Sequence, residues 1–561
     1  MSAQHNEESP MMAHPDAASA AAPADARRVV RLIHADAPLP ADCSAEALGS
    51  KAWNLARMAA LGLPVPPAFV IGTGWCAEPG ALAEAAWRPA LAELERLSGL
   101  RLGDTRHPLL LSVRSGAPVS MPGMMETLLD IGLTETTLSG LLRVSGHPRL
   151  TWDAYRRLIA GYGEVVAGID AQHFDADLEA VRGECGECGQ GDERVLDFAA
   201  LRELAARHLD TYRREAGEAF PQDAHEQLRQ AIAAVFASWH ADKARAYRAM
   251  HGLADDMGTA VTVQRMVFGN AGGLSGAGVG FTRDPSSGEP RPWVDFLFNA
   301  QGEDVVSGRR SAHGHDELAA VAPAVWQAVL DVTARLERAF GDMQDFEFTV
   351  QQGVLHLLQT RAGKRTPQAA ARIALDLLDE GVIDAETARV RTAALDVRAL
   401  AEHRIVRADG AALVPLGRAA SAASGVACGE IVFDEARARA RHAAGAKLIL
   451  VRQDAETRDL AALELAEGLL TCRGARTAHA AVVARQLGKV CLVGCEALRL
   501  DEAGRTLELG GHILREGELL TLDGNEGAIH AGAAAVVEVV PQALLARLDA
   551  LHGREVAALQ S

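Results

Sequence analysis

The sequence predicts a multidomain protein that combines α/β and α+β architecture. Its 561 residues exceed what one hydrophobic core usually organises. Candidate strands and helices alternate along most of the chain, and a purely helical stretch interrupts them near its middle. Near residue 470 a strand, a glycine-bearing loop and a short helix follow one another, which is typical of a βαβ unit. These observations predict two folded regions joined by helices.

The boundaries of these regions follow from composition and periodicity. Residues 1–28 are rich in Ala, Pro, Asp and Ser and lack the apolar core of a signal peptide, which predicts a disordered tail. Residues 29–365 mix strands with helices, and 366–404 are predicted to form a helical connector. Strands dominate again in 405–537, and the apolar spacing of 538–561 predicts a closing amphipathic helix.

The composition predicts a cytoplasmic globular protein. Hydrophobic residues make up 48% and charged residues 23% of the chain, and we find no apolar run of membrane-spanning length. Eight cysteines in so long a chain indicate reduced thiols rather than a disulfide framework. The net charge of −18 argues against nucleic acid and anionic membranes as partners. Nucleotide binding stays compatible with this charge, because it needs only a local cluster of cations and N–H groups.

Two loops of the first region have the composition of phosphate-binding loops. Ser112–Met125 follows an apolar strand and offers a fixed cation, Arg114, and a flexible turn at Gly123. Asn270–Gly280 is rich in glycine and can bring backbone N–H groups close to phosphate oxygens. A tight turn between strands explains the second loop equally well, so the glycine pattern alone leaves both interpretations open.

A predicted β-hairpin near residue 350 gathers polar side chains on one face. Period-two geometry places Asp345 and Glu347 together on its first strand, and Gln359 and Arg361 together on its second. Pairing about the intervening Gln-Gln-Gly turn would put Asp345 near Gln359. Carboxylates suit Mg²⁺ bound to ATP phosphates, and Arg suits the phosphates themselves. The alternative is a solvated, charged sheet face.

The stretch Leu470–Gly488 predicts a strand, a loop and a capped helix. Thr477 is a good N-cap residue, which places His479 in the first helical turn. Unpaired backbone N–H groups and the positive end of the helix dipole point there. A phosphoryl group on this imidazole would find its negative charge already matched. An ordinary polar residue at a helix end is the simpler alternative.

Several sequence runs together resemble the pyruvate phosphate dikinase family, in the family's order, from about residue 45 to about 530. They are Gly49–Leu55, Gly62–Pro67, Ser112–Met125, Phe281–Pro285, Asn299–Val306, Asp342–Asp345, Leu358–Arg361 and Thr477–Arg485. The run Met-Pro-Gly-Met-Met resembles the phosphate-using dikinase rather than phosphoenolpyruvate synthase. The resemblance implies an ATP-grasp nucleotide domain followed by a swivelling β/α phosphohistidine domain.

The resemblance also implies a role for each candidate residue. The residues that would surround Mg-ATP are Lys51, Arg114, Asp345, Glu347, Gln359 and Arg361. Asp345 and Glu347 would be the Mg²⁺ ligands, Gly123 would lie in the loop over the phosphates, and His479 would accept a phosphoryl group. In the family the β-phosphoryl of ATP goes to the histidine and the γ-phosphoryl to inorganic phosphate, which leaves AMP and pyrophosphate. Thr477 matches a position regulated by phosphorylation in some relatives, although the helix cap is the preferred interpretation. ATP and phosphate are thus the expected small-molecule partners, and the assembly is expected to be a homo-oligomer.

The histidine loop departs from the family pattern at three places. The family's glycine pair is Gly474-Ala475 here, and Ala478 removes a hydroxyl usually found beside the histidine. Arg476 replaces a common methionine and resembles phosphoenolpyruvate synthase instead. We expect this arginine to add a cation beside the phosphoryl site. Phosphohistidine chemistry remains the prediction, but these changes put the specificity in doubt.

The final acceptor is the largest departure. Dikinases end in a (β/α)₈ barrel of ~250 residues that binds pyruvate or phosphoenolpyruvate, and this sequence ends shortly after Val537. We therefore expect the donor half and the carrier, with the acceptor held elsewhere. A separately encoded barrel subunit would make the chain part of a split dikinase. A small alcohol or phenol as acceptor would make it resemble phenylphosphate synthase, and a non-catalytic regulator is the third alternative.

Overall fold

The computed structural model describes residues 24–39, 43–119, 121, 124–185, 196–306, 314–397, 399–406, 414–455, 459–474, 476 and 479–553. The first described element is a 3₁₀ turn, Ala24–Arg27, which falls within the range predicted for the tail. The guanidinium of Arg27 is buried and donates to the carbonyl oxygens of Asp256 and Met257. These bonds anchor the turn, and the tail boundary at residue 28 stays a prediction.

The N-terminal region, residues 24–365, contains two antiparallel sheets and many helices. Its strands are β1 (Val30–Ile33), β2 (Ala68–Ile71), β3 (Arg101–Leu102), β4 (Pro108–Leu109), β5 (Leu111–Gly116), β6 (Thr127–Ile131), β7 (Ala260–Arg265), β8 (Gly276–Phe281), β9 (Trp293–Phe298), β10 (Gln344–Gln351) and β11 (Val354–Ala362). Its helices are α1 (Ala45–Ala60), α2 (Arg88–Ser98), α3 (Glu135–Ser145), α4 (Pro148–Val165), α5 (Ala171–Glu184), α6 (Phe198–Ala216), α7 (Ala224–Ser238), α8 (Asp242–Met250), α9 (Gly302–Val306), α10 (Asp316–Val321) and α11 (Pro323–Phe340).

The two larger sheets of this region have the orders β1-β2-β7-β5-β6 and β11-β10-β8-β9, and β3 pairs parallel with β4 in a third, two-stranded sheet. Helices α3 to α8 form a helical insertion between β6 and β7 and share a core with the first sheet. Helix α1 packs between the two sheets and joins its buried face to the core of the second. This arrangement brings the end of β5, the start of α1 and the β10–β11 hairpin together.

The glycine-rich strand β8 packs against aromatic rings. A Cβ at Gly276 would lie 2.1 Å from a ring atom of Phe296, and a Cβ at Gly278 would lie 2.4 Å from a ring atom of Phe348. Both rings belong to the core of the second sheet. The alternating glycines therefore serve ring packing on one sheet face. Of the two interpretations of Asn270–Gly280, this part of the loop supports the structural one.

The connector is helical only in its first part. Helices α12 (Pro367–Asp379) and α13 (Ala385–Thr392) follow β11, and the short strand β12 (Glu402–Ile405) comes next. The described parts of the C-terminal region, residues 414–531, then follow. Its elements are β13 (Gly417–Arg418), β14 (Ala420–Ala423), β15 (Val426–Val432), α14 (Glu435–Ala443), β16 (Leu448–Arg452), α15 (Leu460–Leu465), β17 (Gly468–Thr471), α16 (His479–Gln486), β18 (Val490–Val493), β19 (Arg499–Asp501), β20 (Thr506–Leu509), β21 (His512–Arg515), β22 (Leu519–Asp523) and β23 (Ala528–Ala531).

The C-terminal region is built on an eight-stranded mixed sheet with the order β13-β23-β22-β15-β16-β17-β18-β14. Strands β15 to β18 run parallel, as the predicted βαβ unit requires. Separate apolar cores cover the two faces of this sheet. The observed fold is thus the predicted α/β and α+β multidomain architecture, consistent with an ATP-grasp region and a phosphohistidine region.

Chain segments on both sides of the C-terminal region meet again. Strand β24 (Val536–Val539) pairs antiparallel with β12, and helix α17 (Gln542–His552) packs on the connector helices. Leu548 of α17 is buried there, and Arg547 donates to the carboxylates of Asp376 and Asp379. None of the described helices has both the length and the apolar character required to cross a bilayer.

Candidate active site

The β10–β11 hairpin presents the predicted polar residues on one face. Asp345 pairs with Arg361 across the hairpin, and Glu347 pairs with Gln359. The guanidinium Nε of Arg361 donates to Oδ2 of Asp345 at 2.8 Å. The expected neighbour of Asp345 was Gln359, but a register shift after Glu347 moves the partner strand along. The bulge keeps all four side chains on the same face.

Arg114 reaches this face from the neighbouring sheet. It lies on β5, and its Nη2 stands 3.4 Å from both Oε2 of Glu347 and Oε1 of Gln359. These separations exceed those of strong hydrogen bonds, so the guanidinium is in place without being fully engaged. The predicted fixed cation of the Ser112–Met125 loop therefore faces the hairpin. Gly123, the predicted loop glycine, lies outside the described residues.

Lys51 joins the cluster because helix α1 starts against the end of β5. Gly49 adopts φ +74° inside the helix, and a Cβ there would lie 1.8 Å from the carbonyl oxygen of Gly116. Only glycine fits this close approach. Ser50 stabilises the contact with two hydrogen bonds, since its N–H and its hydroxyl both donate to the carbonyl oxygen of Ala117. Burial, and to a smaller extent the Arg114 cation, lower the pKa of Lys51 to about 8 against the opposing effect of Glu347.

The cluster is a mixed-charge site with a surplus of cations. Lys51, Arg114 and Arg361 face only two carboxylates. Burial raises the pKa of Asp345, although its partner Arg361 acts in the opposite direction. A site of this kind favours a ligand that brings both anionic groups for the cations and a metal ion for the carboxylates.

The donor set fits Mg²⁺ held jointly by protein and substrate. Asp345 and Glu347 supply hard carboxylate oxygens from adjacent positions on one strand face. Within the described residues, no group of three or more His, Cys, Asp or Glu side chains could hold a metal ion alone. Mg²⁺ characteristically binds one or two carboxylates together with phosphate oxygens and waters. The two carboxylates match that preference.

The histidine loop has the predicted topology. Strand β17 ends at Thr471, helix α16 begins at His479, and β18 runs parallel beside β17. The backbone of His479 is therefore at the first position of the helix. Its side chain, and the residues Thr477 and Ala478, lie outside the described part of the loop, so the predicted cap at Thr477 stays a prediction.

Helix α16 lies against the N-terminal region. Arg485, in its last turn, is buried and donates to the carbonyl oxygen of Ala422 on β14. The same guanidinium lies over the rings of Phe281 and Trp293, at 5.3 and 5.2 Å from their centroids. Asp345 and Arg485 are also close enough to influence each other's pKa. The histidine helix and the charged hairpin therefore border the same interdomain space.

Arg476 contacts the N-terminal region. Its guanidinium donates to the Asp295 carboxylate and stacks on Trp293. The expected cation beside the phosphoryl site stays a prediction, because the side chain of His479 lies outside the described residues. Both partners lie on β9 of the N-terminal region. No role was predicted for Arg485, Trp293 or Asp295. Arg485 lies in a run that resembles the family, but no local pattern connects it to β9.

Comparisons with known proteins identify both regions. Residues 83–325 match the family model described as "Pyruvate phosphate dikinase, AMP/ATP-binding domain". Residues 445–527 match the model described as "PEP-utilising enzyme, mobile domain". Arg114 lies in the first match and His479 in the second, whereas Lys51 and the β10–β11 hairpin lie outside both.

Curated relatives match across both regions. Pyruvate, phosphate dikinase from Clostridium symbiosum is 42% identical over 493 residues, which cover 86% of this chain and 56% of the relative. Pyruvate, phosphate dikinase 2 from Zea mays is 41% identical over 496 residues, or 87% of this chain and 56% of the relative. The dikinase from Rhizobium meliloti (strain 1021) is 40% identical over 507 residues, again 86% and 56%. The chain thus spans little more than half the length of these relatives.

Proposed function

By its nucleotide-binding and mobile domains the chain belongs to the pyruvate phosphate dikinase family, and we propose that it performs the ATP-dependent half of dikinase chemistry. In this proposal His479 receives the β-phosphoryl group of ATP and carries it to pyruvate or another acceptor held elsewhere. Relatives named as dikinases do not favour a phenol-phosphorylating enzyme or a non-catalytic regulator.

The single observation that supports the proposal most strongly is that the charged hairpin and the histidine helix border the same space. Arg485 of the helix that begins at His479 lies 5.3 Å from the ring centroid of Phe281, and Phe281 pairs directly with Asp345 in the sheet. Phosphoryl transfer depends on positioning and charge neutralisation more than on covalent work by the protein. A nucleotide site beside a carrier histidine supplies both requirements.

Each residue of the cluster has a part in holding the nucleotide. Lys51, Arg114 and Arg361 would neutralise the phosphates, and Gln359 would orient one of them with its amide. Gly123 would lie in the loop over the phosphates. Asp345 and Glu347 would hold Mg²⁺, and a metal ion bound there would supply charge neutralisation to the phosphoryl group. ATP can recruit Arg361 and Arg114 from their carboxylate partners, because the metal ion compensates the carboxylates they leave.

The transfer forms one bond to the β-phosphorus for each bond that it breaks. A ring nitrogen of His479 attacks the β-phosphorus, and an N–P bond forms while the bond from that phosphorus to the α–β bridging oxygen breaks. AMP leaves with that oxygen. The γ-phosphoryl passes to inorganic phosphate and leaves as pyrophosphate, so the β-phosphoryl alone stays on the imidazole. The positive end of helix α16 favours the negative charge that accumulates there.

Each part of the chain has a role in the proposed transfer. Residues 29–365 would bind the nucleotide, 366–404 would connect, 405–537 would carry the histidine, and 538–561 would close the chain on the connector. The antiparallel pair β12–β24 joins the carrier to the rest of the chain and offers it a hinge. The carrier must travel, because one imidazole serves both donor and acceptor. We further propose that the acceptor is a small molecule, either free or bound by a separate barrel subunit, and that the chain assembles as a homo-oligomer.

The test is covalent labelling with ATP that carries ³²P at the β position. With Mg²⁺ and phosphate present, the wild-type protein is expected to acquire acid-labile, base-stable label and to release AMP. His479→Ala should acquire none. His512→Ala is the matched control, since His512 is an exposed histidine of the same region, and it should label normally. Equal labelling of wild type and His479→Ala would refute the proposal.

A further inference from the structure

Two arginines that flank the carrier histidine converge on one tryptophan of the other region. Arg476 lies three residues before His479 and Arg485 six residues after it. Their guanidinium carbons lie 4.3 Å and 5.2 Å from the ring centroid of Trp293. Arginine over an aromatic face is a favourable cation–π geometry, and its strength rises as water is excluded. The tryptophan therefore recognises both ends of the histidine segment at once.

Asp295 adds a directional contact to this aromatic one. Nε and Nη2 of Arg476 donate to its Oδ1 at 3.1 and 2.9 Å, and Nη2 also lies 3.4 Å from the carbonyl oxygen of Val294. Asp295 is fully buried, whereas the Arg476 side chain keeps 19% of its surface exposed. A buried carboxylate needs hydrogen-bond donors. Two of the hydrogen bonds to Asp295 come from Arg476, in the other region. They exist only while the two regions are in contact.

The two contacts lie on one rigid element. Trp293 and Asp295 belong to β9, which pairs along its length with β8, and Trp293 lies opposite Phe281 in that pairing. On the other side, Arg485 is fixed by its bond to the Ala422 carbonyl. A fixed strand thus meets a helix whose last-turn arginine is fixed as well. The geometry can define the position of the histidine segment rather than merely attract it.

We propose that Trp293 and Asp295 form a docking receptor that seats the histidine segment for phosphoryl transfer from ATP, with Arg476 as the positioning residue that engages it. The inference rests on the proposed function and adds to it the residues that position the histidine segment. Arg476 acts through His479 and touches no reacting atom. Since the contacts break when the carrier leaves, the receptor serves the transfer from ATP and not the delivery to the acceptor.

The first test separates docking from nucleotide binding. Arg476→Met removes the charge and places at this position the residue common in the family. We expect the rate of β-phosphoryl labelling at saturating Mg-ATP to fall roughly 30-fold or more, as when one partner of a buried charge pair is removed. The Kd for ATP, measured by equilibrium dialysis, should not change. Arg473→Met is the matched control, because Arg473 lies on the same loop with an exposed side chain, and it should label like wild type.

Asp295→Asn and Trp293→Leu should reproduce the defect from the other side of the contact. Arg476→Lys, which keeps the charge but loses the planar guanidinium, should retain an intermediate rate. An Arg476→Asp/Asp295→Arg double variant should label faster than either single variant. Wild-type labelling rates in Arg476→Met and Asp295→Asn, in a wild type that does label, would overturn the inference while leaving the proposed function intact.

A spectroscopic measurement keeps the two proposals distinguishable. The difference in emission between wild type and Trp293→Phe isolates the signal of Trp293. The same difference is then measured in the Arg476→Met background, between the variant with Trp293 and the variant that also carries Trp293→Phe. We expect this difference spectrum to lie to the red of the wild-type one, because the ring loses the guanidinium that covers it. A shift in a protein that never labels would support the docking contact and refute the proposed function. An unchanged difference spectrum would overturn the docking receptor.

Discussion

The charged hairpin and the docking receptor illustrate two ways of building a site. In the hairpin, Asp345 and Arg361 are 16 positions apart in sequence and meet because two strands pair around a tight turn. In the receptor, Asp295 and Arg476 are 181 positions apart and meet only because two separately folded regions touch. The first contact is a property of the fold. In the proposed mechanism, the second is a property of an arrangement that forms and breaks during turnover.

The two sites should differ most in how their loss affects labelling. Arg361→Met should weaken ATP binding roughly 10- to 100-fold, the usual range for losing a hydrogen bond to a charged group, and should lower β-phosphoryl labelling with it. Arg476→Met should lower labelling alone. Equilibrium dialysis and labelling kinetics on the same preparations make the distinction. Arg365→Met is the control for the hairpin, because Arg365 pairs with Asp342 instead of facing the cluster. Equal loss of ATP affinity in Arg361→Met and Arg476→Met would erase the contrast.

A second prediction concerns the backbone that places Lys51. Gly49→Ala forces a Cβ to within 1.8 Å of a carbonyl oxygen at a positive φ, and should reduce the free energy of unfolding by about 2–4 kcal/mol. Gly99→Ala provides the comparison. Gly99 also has a positive φ, but no atom lies within 4 Å of the position that a Cβ would take there, so a loss of about 1 kcal/mol is expected. Urea unfolding measures both, and equal losses would show that the close approach contributes nothing.

A third prediction follows from the lowered pKa of Lys51, about 8 in the substrate-free site. The protonated amine binds phosphate and the neutral amine does not, so bound ATP should raise this pKa. ATP affinity should therefore be level below pH 8 and fall as the pH rises above it, by up to tenfold per unit. Lys51→Arg should retain the affinity and flatten the profile, whereas Lys51→Met should lower the affinity and flatten it. A profile unchanged in both variants would assign the titration to another group.

The smallest effect is expected at Asn54, which ties α1 to the hairpin. Its Nδ2 donates to the carbonyl oxygen of Thr360 at 2.9 Å, and Asn54→Ala should cost about 1 kcal/mol of unfolding free energy. Labelling should fall only slightly, since Gly49 and Ser50 still hold the start of the helix. A labelling loss as large as that of Arg361→Met would mean that this bond, rather than the Gly49 contact, positions Lys51.

The sequence was sufficient where contacts follow from local geometry. Strand alternation predicted the shared face of Asp345, Glu347, Gln359 and Arg361, and the strand–loop–helix order predicted the position of His479 at a helix start. The neighbour of Asp345 was mispredicted because one bulge shifts the register, and no residue pattern announces a bulge. The glycines of β8 resembled a phosphate loop because the rings that need the space lie on other strands.

Contacts between regions could not be predicted in the same way. The partners of Arg476 could not be predicted because only its position in the loop was visible. Its direction depends on a buried carboxylate and an indole on β9. Likewise, the hydrogen bonds of Arg27 could not be predicted because the two carbonyls that accept them lie more than 200 residues away in sequence. Contacts with residues distant in sequence determine where these side chains lie, and local propensity carries no information about such contacts.

The most direct test of the central claim compares ATP labelled at the β position with ATP labelled at the γ position, in the presence of Mg²⁺ and phosphate. We expect the β label to stay on the protein, within the peptide that contains His479, and the γ label to appear in pyrophosphate. Stable γ label on the protein with ADP as the product would identify an ordinary kinase and contradict transfer of the β-phosphoryl group to His479.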